Sequence, residues 1–151
     1  MENSLYQLAE IEISYRPKFK AMERPQIDSS DKAYHALVNN WSQDRINLIE
    51  EFKIILLNRR NRGLGIVNIS QGGMSQTMAD PKIIFAVALK ACASGIILSH
   101  NHPSGDPAPS DADIKLTRKL SEVGALLDIK VLDHIILCSD GYFSFLDKIM
   151  L

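Results

Sequence analysis

The segment Ile96–His100 (Ile-Ile-Leu-Ser-His) is apolar at nearly every position, follows Gly95 and is stopped three residues on by Pro103. A run this short and this apolar reads as a central strand buried on both faces. Helical patterns lie on either side of it. Asp80-Pro81 starts one helix, with an N-cap carboxylate followed by a residue that has no N–H to lose at the first helical position. Ile83, Ile84, Val87, Ala88 and Ala91 form its apolar stripe, and Gly95 is expected to end it. Ser110 opens a second helix running to about Leu127, with Ile114, Leu116, Leu120, Val123 and Leu127 on or near one face.

The remaining pattern adds strands on one sheet. Ile11, Ile13 and Tyr15 alternate with Glu12, Ser14 and Arg16, the period of a half-buried strand. Pro17 and Pro25 bracket an irregular arm, after which Ser29 and Ser30 offer an N-cap and Ala33, Leu37 and Trp41 recur at helical spacing. Glu50–Leu57 and Leu64–Ile69 read as a hairpin around the turn Asn58–Gly63, closed at its exit by Gly72 and Gly73. Val131–Cys138 and Tyr142–Phe145 form a second hairpin around Asp140-Gly141. The fold class is α/β (α+β), one mixed sheet with helices. We expect an N-terminal strand and arm over residues 1–28 and a domain over 29–151. A length of 151 residues leaves little room for a second core.

Composition narrows the function classes. Hydrophobic residues make up 46% and charged residues 23%, ordinary globular values that exclude disorder over most of the length. Seventeen Lys and Arg against 18 Asp and Glu give a net charge of -1, without the basic excess of a protein that lives on nucleic-acid phosphates. Direct nucleic-acid binding would have to run through the Arg59, Arg60, Arg62 turn, which otherwise reads as a solvated loop. The first ten residues hold acids and no apolar core segment, so they do not read as a signal peptide. The longest apolar stretch, Ile83–Leu98, is broken by Lys90, Ser94 and Gly95, and no membrane span is expected. Two cysteines are too few for a disulfide framework. Cys92 and Cys138 are expected to be buried thiols, and the expected location is the cytoplasm.

The chemistry is concentrated in Ser99–Asp113, Ser-His-Asn-His-Pro-Ser-Gly-Asp-Pro-Ala-Pro-Ser-Asp-Ala-Asp. His100 and His102 leave the same face of a strand, with Cα atoms about 6.6 Å apart, close enough to converge on one ion. Pro103, Pro107 and Pro109 stiffen the loop that returns the chain to Ser110. Asp113, one helical turn on, is expected to supply a third ligand. Two histidines and a carboxylate leave the fourth tetrahedral position open to water, the pattern of a catalytic zinc. A further carboxylate must take that water's proton, and Glu50 and Glu51 are its two candidate sources. Ser110-x-x-Asp113 is equally a helix-capping pattern, and the two roles are compatible. His134 reads as a satisfied strand residue, a partner standing behind a ligand, or a reserve ligand. His35 needs no special role.

His100-Asn-His102-Pro103, six further residues, then Ser110, two residues and Asp113 resembles the JAMM motif of the MPN-type metalloproteases. The longer string from His100 to Leu120, with Val-Leu-Asp-His-Ile-Ile-Leu and Asp-Gly-Tyr-Phe-Ser-Phe downstream, is similar to the bacterial RadC branch of that family. The resemblance covers roughly Ser29 to the C-terminus. It implies a curved mixed sheet flanked by helices, similar to the cytidine deaminase-like arrangement, and zinc held by His100, His102 and Asp113. It implies that Ser110 stabilises an oxyanion and that Glu50, two residues before Phe52, is the general base, with Glu51 on the opposite face as the fallback. It implies hydrolysis of a peptide or isopeptide bond in a protein substrate.

The RadC name also carries an association with DNA repair, so the alternative is an accessory module with a structural or vestigial metal site. Many longer RadC proteins have a helix-hairpin-helix segment upstream, whereas the first residues here read as strand and arm. The edge strand Ile11–Tyr15 is expected to be able to pair with a second copy, giving a homo-oligomer, or with an extended peptide. Deamination is a poor reading, because the Cys pair and His-x-Glu signature it needs are missing.

Overall fold

Strand β3 (Gly95–Asn101) lies at the centre of a five-stranded sheet and is buried at every position. On one side it pairs antiparallel with β1 (Glu51–Leu57), which pairs antiparallel with the edge strand β2 (Gly63–Gln71). On the other it pairs parallel with β4 (Lys130–Cys138), which turns back into β5 (Gly141–Ser144). The parallel step is made by a helical crossover, as parallel neighbours require. The computed structural model describes residues 4–12, 14, 16–72 and 79–151.

Period-two alternation sends each strand's side chains to two separate cores. Phe52, Ile54, Leu56, Ile96 and Leu98 pack with Ile84, Phe85 and Ala88 of α2 (Pro81–Lys90) and Leu120 of α3 (Asp111–Leu126). Ile55, Leu57, Ile97, Ile135 and Leu137 pack with Ala33 and Leu37 of α1 (Ser30–Asn39) and with Trp41. Each helix starts on its expected cap: Ser29 accepts the Lys32 N–H, Asp80 the Lys82 N–H and Ser110 the Asp113 N–H. The mixed α/β architecture expected of the sequence is the one observed. No helix among the described residues is long and apolar enough to cross a membrane.

Four local expectations differ from what is found. No strand forms at the described residues of Ile11–Tyr15: Ile11, Glu12 and Ser14 are exposed and outside any ladder, while Ile13 and Tyr15 lie outside the described residues. Alternation alone makes no strand without a sheet edge to pair with. Helix α2 ends at Lys90, and Gly95 instead begins β3, where a Cβ would come within 2.8 Å of the Leu132 side chain. Cys138 is buried as expected, but Cys92 is exposed, in the turn after α2 with φ at 54°. Trp41 is buried as its spacing suggests, yet it stands beyond the end of α1. Gly73 lies outside the described residues.

Candidate metal centre

The end of β3 and the start of β1 are neighbours, with Phe52 opposite His100. Glu50 precedes β1 by one residue, and its even parity with Phe52 aims it at the face that carries His100. Asn101, between the histidines, points to the other face. There its amide donates to the Ile46 and Ile49 carbonyls at 2.7 and 2.9 Å and accepts the Glu51 N–H at 2.7 Å. The loop that delivers Glu50 is thereby tied to the strand that carries the histidines.

His100 and His102 bring their Nε2 atoms to 3.0 Å. Asp113 lies across from both, Oδ1 3.3 Å from His100 Nε2 and Oδ2 3.3 Å from His102 Nε2. Glu50 Oε1 stands 3.9 Å from His100 Nε2, and Glu50, His100 and His102 each offer one atom within 4.8 Å of the others. Glu51 is separate from this cluster: it is buried on the opposite face, 3.6 Å from Arg45 Nε and 3.7 Å from Lys53 Nζ.

Ser110 and Asp113 form a reciprocal capping box at the N-terminus of α3. The Ser110 N–H donates to Asp113 Oδ2 at 2.8 Å, and the Asp113 N–H donates to Ser110 Oγ at 3.1 Å. The cap fixes the carboxylate while leaving it turned to the histidines. The loop before it is shaped by Gly105, whose φ of +86° suits glycine. The Gly105 N–H bonds back to the His102 carbonyl, and the Asp106 carbonyl accepts the His102 Nδ1 proton at 2.8 Å.

The outer nitrogen of His100 leads to residues the motif does not contain. His100 Nδ1 is 2.8 Å from His134 Nε2, and His134 Nδ1 is 2.6 Å from Thr117 Oγ1, which donates to the Asp113 carbonyl at 2.7 Å. Phe52 lies parallel to the His100 ring at 6.0 Å, and Phe145 stacks on His134 at 4.9 Å. Sequence reasoning missed Thr117 and Asn101. Thr117 follows Asp113 by four, on the same helix face, and Asn101 has the opposite strand parity to the histidines beside it; both signals were readable.

Electrostatics follow from this packing. Burial raises the Glu50 carboxyl pKa, partly offset by the two histidines. The hydrogen bond with Asp113 raises His102. Burial opposes ionisation of Asp113, but the adjacent His100 and His102 rings, when protonated, and the Ser110 N–H outweigh it and hold the carboxyl well below the usual range. Burial drives the His134 ring toward its neutral form.

Two imidazole nitrogens and a carboxylate this close together can share a proton or a cation. A tetrahedral ion bound at about 2.0–2.1 Å sets its ligand atoms about 3.3 Å apart, and the observed separations of 3.0–3.3 Å match that edge. The donor set therefore fits a metal ion.

Residues 27–150 match the family model described as the RadC-like JAB domain. A UPF0758 protein of Alkaliphilus metalliredigens is 48% identical over 102 residues, covering 68% of this chain and 44% of that protein. One from Trichlorobacter lovleyi is 46% identical over 104 residues, covering 69% of this chain and 45% of its own length. UPF0758 protein STH371 of Symbiobacterium thermophilum is 40% identical over 100 residues, covering 66% and 43%. The matched region spans less than half the length of these relatives. With the match running through both cores and the whole of the histidine-carboxylate cluster, this chain belongs to the RadC-like JAB domain family.

Proposed function

We propose that this chain is a zinc-dependent hydrolase that cleaves a peptide or isopeptide bond in a protein substrate. The observation that carries the reading is the convergence of His100 Nε2, His102 Nε2 and the Asp113 carboxylate beside a fourth group, the separate carboxylate of Glu50. His100, His102 and Asp113 would hold the ion, which when bound supplies a Lewis acid and a water of lowered pKa.

The chain's own residues supply the rest. Glu50 is buried, and its raised pKa suits a group that takes a proton and returns it to the leaving amine. Ser110 Oγ accepts the Asp113 N–H, which leaves its own proton free to donate to an oxygen gaining charge in the transition state. The capping and oxyanion roles thus use different parts of one hydroxyl. The proline-bearing loop between His102 and Ser110 is tied to the cluster through the Asp106 carbonyl, which accepts from His102 Nδ1 at 2.8 Å.

Metal analysis of the purified protein tests this. About one zinc per chain is expected, with zinc lost in His100→Ala and Asp113→Asn. A zinc-free wild type, or variants that retain as much metal as the wild type, would remove the reading.

A further inference from the structure

We propose that Thr117 and His134 are positioning residues that select which nitrogen of His100 faces the Glu50–His102–Asp113 cluster. The inference rests on the metal-site reading above and concerns residues outside the His-Asn-His and Ser-x-x-Asp pattern.

The direction of the chain follows from which groups can donate. The Asp113 carbonyl can only accept, so it takes the single hydroxyl proton of Thr117. Thr117 Oγ1 is then an acceptor toward His134 at 2.6 Å, which places the His134 proton on Nδ1. His134 Nε2 is left bare and accepts from His100 Nδ1 at 2.8 Å. The neutral His100 ring therefore carries its proton on Nδ1 and presents a bare Nε2 to the cluster. His102 reaches the same state more simply, through the Asp106 carbonyl.

Aromatic rings enclose the Nδ1 side of this chain, while on the other side His100 Nε2 lies 3.0 Å from His102 Nε2 and 3.3 Å from Asp113 Oδ1, the competing acceptors for a proton on Nε2. His134 is fully buried, with Phe145 stacked at 4.9 Å and the edge of Phe52 at 5.8 Å. Helix α3 thereby grips His100 at both ends, Asp113 Oδ1 beside Nε2 and Thr117 one turn later, acting through His134 on Nδ1. Partners of this kind orient a ligand ring and raise its basicity.

Long-range proton–nitrogen correlation of the metal-free wild type at mildly alkaline pH reads the tautomer directly. The proton is expected on His100 Nδ1; finding it on Nε2 overturns the proposal without involving any variant. Zinc affinity, measured by competition with a chromophoric chelator, is the second readout. Thr117→Val is expected to bind zinc about ten- to a hundred-fold more weakly, and Thr117→Ser to bind like the wild type. Equal affinity in Thr117→Val and wild type counts against the proposal. A wild type that binds no zinc would sink the hydrolase reading, while the tautomer would still decide this one.

Discussion

Asn101 accepts the backbone N–H of Glu51 at 2.7 Å while its own amide holds the Ile46 and Ile49 carbonyls, so one buried side chain joins the histidine strand to the loop bearing Glu50. Asn101→Ala would leave an N–H and two carbonyls without that partner. A loss of about 2–4 kcal/mol in urea unfolding is expected, at about 1–3 kcal/mol per buried group left unpaired and with partial relaxation. Zinc binding by the folded variant should survive, because His100, His102 and Asp113 do not depend on that amide. A stability change under about 0.5 kcal/mol, the size of an ordinary surface substitution, would show that the tie is dispensable.

The two neighbouring glutamates separate by face. Glu50→Gln is expected to keep zinc and abolish hydrolysis, since an amide cannot take the proton. Glu51→Gln should leave zinc content unchanged and act mainly on stability, because its partners are Arg45 and Lys53. Zinc content and peptide hydrolysis measured side by side give the answer; activity lost only in Glu51→Gln would reverse the assignment.

A proton and a metal ion compete for the same lone pairs. The His102 pKa is raised by Asp113, so below that raised value a proton occupies the place of the cation. Zinc affinity should therefore fall as pH drops through this range, and binding near neutrality should release protons. Calorimetry in two buffers of different ionisation enthalpy measures the release directly. Identical heats in both buffers would contradict the expectation.

Asp133 is buried and accepts the His134 and Leu146 N–H groups on Oδ1 and the Ser144 hydroxyl on Oδ2. Burial raises its pKa despite these bonds. The folded state then holds the proton more tightly than the unfolded chain, so this group's contribution to stability falls as pH rises from the ordinary carboxyl value through the raised one. Asp133→Asn keeps both backbone bonds on Oδ1 and is expected to flatten that decline. Urea unfolding from mildly acidic to neutral pH should show the wild type losing stability relative to the variant, and parallel curves would refute the assignment.

Gly124 brings helix α3 against the chain that enters β4. A Cβ there would lie 2.3 Å from the Ile129 carbonyl oxygen, whereas one at Gly95 comes closest to the Leu132 side chain, at 2.8 Å, and stands 3.5 Å from the Lys130 carbonyl oxygen. Gly124→Ala must move backbone and should cost about 2–3 kcal/mol, at the upper end of the overpacking range. Gly95→Ala should cost less, since a leucine can change rotamer. Thermal or urea unfolding of the two variants ranks them, and the reverse order would mean that α3 shifts easily.

Local chemistry determined much of this protein without help from the fold. The caps at Ser29, Asp80 and Ser110, the apolar β3 and the shared face of His100 and His102 follow from residue type and period, which act over a few neighbours. Tertiary structure decided what those rules do not reach. The alternation at Ile11–Tyr15 found no sheet edge at its described residues, and the turn after α2 left Cys92 exposed. Period separates Glu50 from Glu51, but only the β1–β3 register brings Glu50, and not Glu51, to the histidines. Thr117, His134 and His100 come from a helix and two strands, and their hydrogen bonds span up to 34 residues. Spacing puts Thr117 on the helix face of Asp113, but its contact with His134, and that of His134 with His100, depend on how the crossover packs on the sheet, a many-body outcome of burying two apolar faces.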